Sequence, residues 1–398
     1  MRVGIVGIGL LPWKARYPDK TYYELAAEAV GKAFDDAKLG PDAVDNVVYG
    51  LADVYVNAIR QACASTILQD HIGMEGKPSV TVHNGAATGA LAVKTAFTEI
   101  LSGTSEITLV VGTGKGLDLY DPETKKRSSA FLKAIMLDVD TTWDAPVEPS
   151  PVAHFAFVVQ GHIDKYGNPT EEQMAKVSVK NHGNALDNPL AQSGMQLSVE
   201  DVLKSPHIAG PLKFLDCCLY SEGAAAVILA REDRAKQISD KVVWIDGVGS
   251  STKRSYFPSY AELGRIPCQF IATKKAYEMA GVGNPRKELD VIELHDLLTG
   301  VELISYEELG LCKVGEGGHL SDEGVTMKDG EIPVNPSGGM IGCGHVAGTS
   351  GISRVGEVAL QLRGEAGKRQ VRIKNGRGLV SCIGGPGISQ CCSIVLEV

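Results

Sequence analysis

The chain has 398 residues and a formal net charge of −9, with 44% hydrophobic and 22% charged residues, a balance suited to a globular protein long enough for more than one domain. The acidic excess excludes a general attraction to nucleic-acid backbones, and no apolar run is long enough to cross a bilayer. Nine cysteines without repeated CxxC spacing require neither a zinc site nor a disulfide framework and suit a reducing cytoplasm.

Residues 3–9 form an apolar, glycine-containing run that reads as a first strand, entered without the basic start or small-residue cleavage site of an export signal. Residues 21–37 follow helical spacing, with Leu25, Ala26, Ala29, Val30 and Phe34 on one face. A short strand is predicted at 47–50, a helical region at 59–72, and a strand at 78–82. A Gly/Ala/Thr turn at 83–89 then leads into a helix over 90–101 and a strand over 107–112. Strands alternating with helices predict an α/β layered core.

The stretch 117–197 is rich in Pro, Asp and Asn, with helical patches such as 171–184, and reads as an inserted cap or loop domain. Its segments 112–126 and 138–150 offer little apolar burial and are expected to form a mobile cover. The basic run at 125–127 is a solvated surface cluster by default. Strand patterning returns at 224–230 and 242–245. The remaining chain repeats the first half's grammar: a helix at 268–280, a strand at 291–294, a Gly-rich turn at 337–351, a helix at 352–362 and terminal strands near 379–380 and 393–396. The expected organisation is therefore an N-terminal half (1–116 and 198–240), the insertion (117–197), and a C-terminal half (241–398) duplicating the first.

No P-loop stands between a strand and a helix, and Gly7-Ile8-Gly9 is only a fragment of a dinucleotide fingerprint. The nine histidines are dispersed, so no metal site is predicted. Three runs are more specific: Asn335-Pro336-Ser337-Gly338-Gly339 leading to Gly344-His345, Gly348-Thr349-Ser350-Gly351, and Gln361-Leu362-Arg363-Gly364-Glu365-Ala366-Gly367. With Glu293-Leu294-His295-Asp296 and Lys180-Asn181-His182-Gly183-Asn184-Ala185, they make the chain resemble a thiolase of the sterol-carrier-protein and archaeal-type branch over nearly its full length.

The resemblance implies the α/β thiolase fold, a duplicated five-layered αβαβα arrangement with a loop domain over the ligand channel. It also implies thiolytic cleavage of a β-keto acyl-CoA or the reverse Claisen condensation, with coenzyme A as substrate or product and no permanently bound cofactor. His345 matches the histidine that activates the nucleophile and contacts the thioester oxygen, and His295 matches one used at the first oxyanion hole. Asp296 is expected to fix the loop or ring, with Asn335 and Gly385 supporting the site. Cys382 in Cys382-Ile383-Gly384 matches the cysteine that moves protons at the α-carbon, and the Gly384 amide matches part of a second oxyanion hole.

At the usual nucleophile position the run is Val82-His83-Asn84-Gly85-Ala86-Ala87-Thr88-Gly89, so Ala86 stands where the family carries cysteine, and alanine cannot be acylated. Ala62-Cys63-Ala64-Ser65 resembles the missing motif but lies in a helical pattern before the third strand, which makes Cys63 a decoy. Three readings stay open: Cys382 as acyl carrier with His345 as base; direct attack by CoA thiolate without an enzyme-bound intermediate; and a non-catalytic subunit binding acyl-CoA or a partner. The resemblance further implies a homodimer seamed at 80–82 and, in some relatives, a small zinc-ribbon/OB-fold subunit. Benzoylsuccinyl-CoA thiolase is one such two-chain enzyme, making an aromatic or branched β-keto thioester the expected substrate.

Overall fold

The computed structural model describes residues 1–119, 125–126, 129–135, 137, 139–147, 150–254 and 263–398. Parts of the expected cover at 112–126 and 138–150, and Arg127 of the basic run, lie outside the described residues.

The N-terminal half comprises β1 (Val3–Leu10), α1 (Tyr22–Ala37), β2 (Asn46–Gly50), α2 (Asp53–Ala58), α3 (Ala64–His71), β3 (Ser79–Val82), α4 (Thr88–Ser102) and β4 (Ile107–Gly114). The intervening segment holds α5 (Ser129–Ile135), α6 (Pro151–Tyr166), α7 (Glu171–Ala185), α8 (Val199–Leu203) and the short pair β5 (His207–Ala209) and β6 (Leu212–Lys213). The chain rejoins the main sheet at β7 (Gly223–Arg231), followed by α9 (Glu232–Ile238). The second half runs through β8 (Val243–Thr252), α10 (Pro267–Ala280), α11 (Pro285–Glu288), β9 (Val291–Leu294), α12 (Thr299–Glu308), α13 (Gly317–Asp322), α14 (Gly339–Cys343), α15 (Thr349–Arg363), β10 (Arg377–Gly384) and β11 (Gln390–Glu397).

The main sheet has the order β3-β2-β4-β7-β1-β8-β11-β10-β9. Outward from the central β1–β8 pair the two sides match: antiparallel to β7 or β11, antiparallel to β4 or β10, then parallel to β2 or β9. The last position is filled by β3 on one side and by a parallel bridge from Ile292 to Val334 on the other.

Glycines make the same correspondence. A Cβ on Gly9 would lie 1.9 Å from the Ala29 carbonyl oxygen of α1, and one on Gly249 would lie 1.9 Å from that of Ala272 in α10. Gly7 and Gly247 repeat this against Ala33 and Ala276. Gly7-Ile8-Gly9 therefore serves close helix-on-strand packing, and the second half carries the same device.

Three apolar clusters follow from the alternation along the strands. On β7, Ala225, Val227 and Leu229 face the central cluster, which includes α4 and α15, whereas Ala224, Ala226, Ile228 and Ala230 face α1. A third cluster lies between the C-terminal strands and α10 and α12. These are the interfaces of an α–β–α–β–α stack, with α4 and α15 in the middle layer.

Local signals place the helix ends. Thr21 and Glu24 form a reciprocal N-cap on α1, which stops at Lys38 in a left-handed conformation. The helical region expected at 59–72 differs: Arg60, at φ 56°, breaks the chain between α2 and α3. Among the described residues no helix is long and apolar enough to cross a membrane.

Candidate active site

The middle-layer helices open together on the site. A Cβ on Gly89 would sit 2.1 Å from the Gly348 oxygen, and one on Gly351 would sit 2.5 Å from the Ala90 nitrogen, so glycine lets the first turns of α4 and α15 cross in contact. Each helix has 15 residues, and the positive ends of both dipoles point toward the loops that precede them. Those loops carry Ala86 and His345.

A cleft partly open to solvent is lined by Gly85, Ala86, His345, Gly384 and Gly385, whereas His295 lies buried behind this wall. Val54, Ile135, Phe155, Tyr220 and Leu297 give it an apolar wall. Gly85, at φ 54°, turns the chain into α4, and the Thr88 hydroxyl donates to the Gly85 oxygen at 2.6 Å while accepting from the Asn84 N–H at 2.8 Å. A Cβ on Gly384 would be 2.7 Å from the Ala86 nitrogen and 2.6 Å from that of Ala87. Ala86 and Gly384 thus meet backbone to backbone, the approach that a two-amide oxyanion hole requires.

His345 is 2% exposed, and its Nδ1 lies 3.2 Å from the Ser350 hydroxyl. Burial, reinforced by Arg354, drives its pKa down to about 3. The His295 ring centroid lies 6.0 Å away, nearly perpendicular, with Nδ1 3.0 Å from the Ile383 carbonyl oxygen. Burial, then His345, holds the His295 pKa well below the ordinary value. Both rings are therefore neutral at physiological pH.

Asp296 fixes the loop instead of a ring: its carboxylate accepts from the Met340 and Ile341 amides at 2.6 and 3.3 Å and from Asn181 at 2.8 Å. Burial, then Glu302, raises its pKa to about 8. Asn335 ties the end of β9 to α12, accepting from the Leu294 N–H at 2.9 Å and donating to Glu302 at 2.7 Å. Glu302 also pairs with Lys180 at 2.7 Å, so the 180–185 run docks α7 into the C-terminal half.

Sequence reasoning missed Arg354. Fully buried on α15, it pairs with Glu293 at 2.7 Å and donates to the Gly339 oxygen at 3.0 Å. Replacing Arg354 with Leu strands the Glu293 charge in the core. The variant is expected to lose about 3–5 kcal/mol of stability, read as a lowered urea midpoint. Tyr220 and His154 also line the cleft unanticipated; they sit in an irregular loop and on an inserted helix, where periodicity carries no functional signal.

Cys382 lies on the β10 face that Gly384 turns toward Ala86, but two residues deeper. It packs with Val380 and Cys392 in the central apolar cluster, is fully buried, and is not on the cleft wall. Burial, then Cys392 and Cys391, raises its pKa well above that of a free thiol. Cys63 is exposed just before α3 and takes no part in the cleft. No group of three or more potential metal ligands occurs among the described residues.

The central helices of a duplicated fold open on a cleft lined by His345 and by the Ala86 and Gly384 backbones, groups able to hydrogen-bond a developing oxyanion. The thiolase N-terminal domain model matches residues 8–233 and the thiolase C-terminal domain-like model matches 249–397, and the chain belongs to the thiolase family. It is 34% identical over 385 residues to the acetyl-CoA acetyltransferase of Methanothermobacter thermautotrophicus, covering 97% of each chain. Human sterol carrier protein 2 is 33% identical over 385 residues, covering 93% of this chain and 68% of that one. Among solved structures, the Ltp2-ChsH2(DUF35) aldolase has a TM-score of 0.81 at 23% identity, covering 100% of this chain and 98% of that one. Human mitochondrial 3-ketoacyl-CoA thiolase has a TM-score of 0.73 at 20% identity with the same coverage.

Proposed function

We propose that this chain cleaves or forms the carbon–carbon bond beside a CoA thioester without an acyl-enzyme intermediate. The observation that carries this reading is Ala86 at the mouth of α4, facing Gly384, with Cys382 packed away from the cleft wall. In the thiolytic direction a CoA thiolate adds directly to the β-carbonyl of a β-keto acyl-CoA. The oxygen of that adduct is held by the Ala86 and Gly384 amides, and the thioester enolate released from it lies at His345. The apolar wall formed by Phe155, Tyr220, Leu297, Val54 and Ile135 supports an aromatic or branched acyl group.

The same lack of a thiol on the cleft wall favours a second reading, aldol cleavage of a β-hydroxyacyl-CoA, and the neighbour named as an aldolase adds to it. There the hydroxyl proton goes to a base, the bond between the α- and β-carbons breaks, and the thioester enolate is protonated. The products are a carbonyl compound and a shortened acyl-CoA, and free CoA is not consumed.

Product formation from β-keto and β-hydroxyacyl-CoAs, with and without free CoA, separates the two. Thiolysis consumes one CoA per turnover and persists within about threefold in Cys382→Ala. CoA-independent cleavage selects the aldol reading, and turnover of neither substrate leaves a non-catalytic subunit. A homodimer seamed at β3, where Val80 is 38% exposed on the sheet's end strand, is part of the proposal. So is a small zinc-ribbon/OB-fold partner chain.

A further inference from the structure

The chemistry above requires a proton at the α-carbon, and neither Cys382 nor His295 is on the cleft wall to supply it. Among the described residues the wall carries four side chains that exchange protons: Asp53, His154, Tyr220 and His345. Burial, reinforced by Arg354, disfavours the protonated ring of His345, and burial does the same to His154 against the opposing charge of Asp144. A tyrosine hydroxyl ordinarily releases its proton only near pH 10.

Asp53 stands in a different setting. Strands β2 and β3 run parallel with Gly50 beside Val82, so the residues after each leave the sheet together at its carboxyl edge, where open α/β sheets bind ligands. Asp53 begins α2 there, beside the turn that carries His345: a Cβ on Gly348 would lie 2.9 Å from the Ala52 nitrogen. One residue past β3, His83 places Nε2 3.2 Å from an Asp53 carboxylate oxygen and Nδ1 3.0 Å from the Leu51 carbonyl oxygen. A carbonyl oxygen only accepts, so Nδ1 carries a hydrogen. With the ring neutral and the carboxylate ionised, two lone pairs would face each other at Nε2. One proton therefore lies between Asp53 and His83. The two side chains are 23% and 49% exposed, and an ion pair so open to water contributes little to stability. It does join the cleft to solvent.

We infer that Asp53 is the catalytic acid–base group of the cleft and that His83, acting through it, reloads it with protons from water. The inference rests on the thioester enolate common to the two readings above. In thiolysis CoA adds to the β-carbonyl as the thiolate, its proton left in solvent, and the carbon–carbon bond breaks with its electron pair on the α-carbon. That pair then forms a C–H bond with the proton shared by Asp53 and His83, leaving an ionised carboxylate and a neutral ring. The half-exposed His83 recovers one proton from water, which balances the one lost by the thiol. The same C–H bond ends aldol cleavage. Run backward, the emptied pair removes an α-hydrogen from an acyl-CoA.

Asp53→Asn tests the assignment because an amide keeps the shape and hydrogen bonding of the carboxylate but does not carry the proton. Exchange of the α-hydrogens of acetyl-CoA for deuterium in D₂O, followed by NMR, is expected to fall about 100-fold or more in this variant, with acetyl-CoA binding and thermal unfolding retained. Exchange within about threefold of wild type would overturn the inference. His83→Ala should lose about tenfold or more, and added imidazole should restore the exchange through the space opened to solvent, which a merely structural role would not allow. Exchange that imidazole leaves unchanged would overturn the role of His83. Wild type supplies a readout free of any folding defect: the ring ¹⁵N and carboxyl ¹³C signals should show one proton held between His83 and Asp53 at neutral pH, and a neutral ring beside an ionised carboxylate would overturn it. Exchange absent from wild type while carbon–carbon cleavage persists defeats this inference alone, and absence of both defeats the proposed chemistry with it.

Discussion

Replacing His345 with alanine is expected to lower kcat/KM about 100- to 1,000-fold, with the fall in kcat and little change in KM. The ring is placed by the turn into α15 and by Ser350. The pH dependence carries a second signature. The pKa of His345 is driven down to about 3 by burial and then by Arg354, against about 6.5 for an exposed imidazole. A depressed folded-state value means that folding disfavours the protonated ring. The corresponding stability is complete above about 6.5 and is lost as the pH falls from there toward 3. Wild-type activity should therefore show no acid limb near 6.5, and the alanine variant should lose less stability than wild type between pH 7 and pH 5. A wild-type limb near the ordinary histidine pKa would contradict a buried neutral ring.

The Gly384→Ala variant should be nearly as damaging. Its Cβ would lie 2.6 Å from the Ala87 nitrogen and 2.7 Å from the Ala86 nitrogen, distances that only a shift of the backbone relieves. That shift opens the gap between the two amides and removes one donor's alignment, an effect of about 100-fold on kcat. Overpacking also costs about 1–3 kcal/mol, so denaturant melts must accompany the kinetics. The expected pattern is a folded protein that binds acyl-CoA and turns it over slowly; unchanged kcat would remove these amides from the mechanism.

Much of the architecture was legible because apolar periodicity and glycine placement are local. The strand at 3–9, the helix at 21–37 and the Gly-rich turn leading into a helix over 352–362 all follow from spacing, and each half carries its turn before a middle-layer helix. Helix α12 was not legible, since Glu302, Tyr306, Glu307 and Glu308 give it a polar composition although every one of its residues is buried. Those acids point inward because other parts of the chain meet them: Lys180, Asn181 and Asn335 at Glu302, the Gly317 N–H at Glu307, and Arg265 with the Ile266 N–H at Glu308. The same separation hid Arg354, whose partner Glu293 is 61 residues away.

Motif resemblance brought His345, His295, Ala86, Gly384, Asp296 and Asn335 to one region of the chain's surface and core. It did not supply the depth of Cys382, which depends on the alternation of β10 against the central cluster, nor the contact of His295 with the distant Ile383 carbonyl.

The measurement that bears most directly on a mechanism without an acyl-enzyme is intact-mass spectrometry of the wild-type protein during turnover of an acyl-CoA, with Cys382→Ala alongside. The expected result is product formation with the protein mass unchanged in both. A covalent acyl adduct on wild type that disappears in Cys382→Ala would make that buried thiol the carrier and contradict the mechanism.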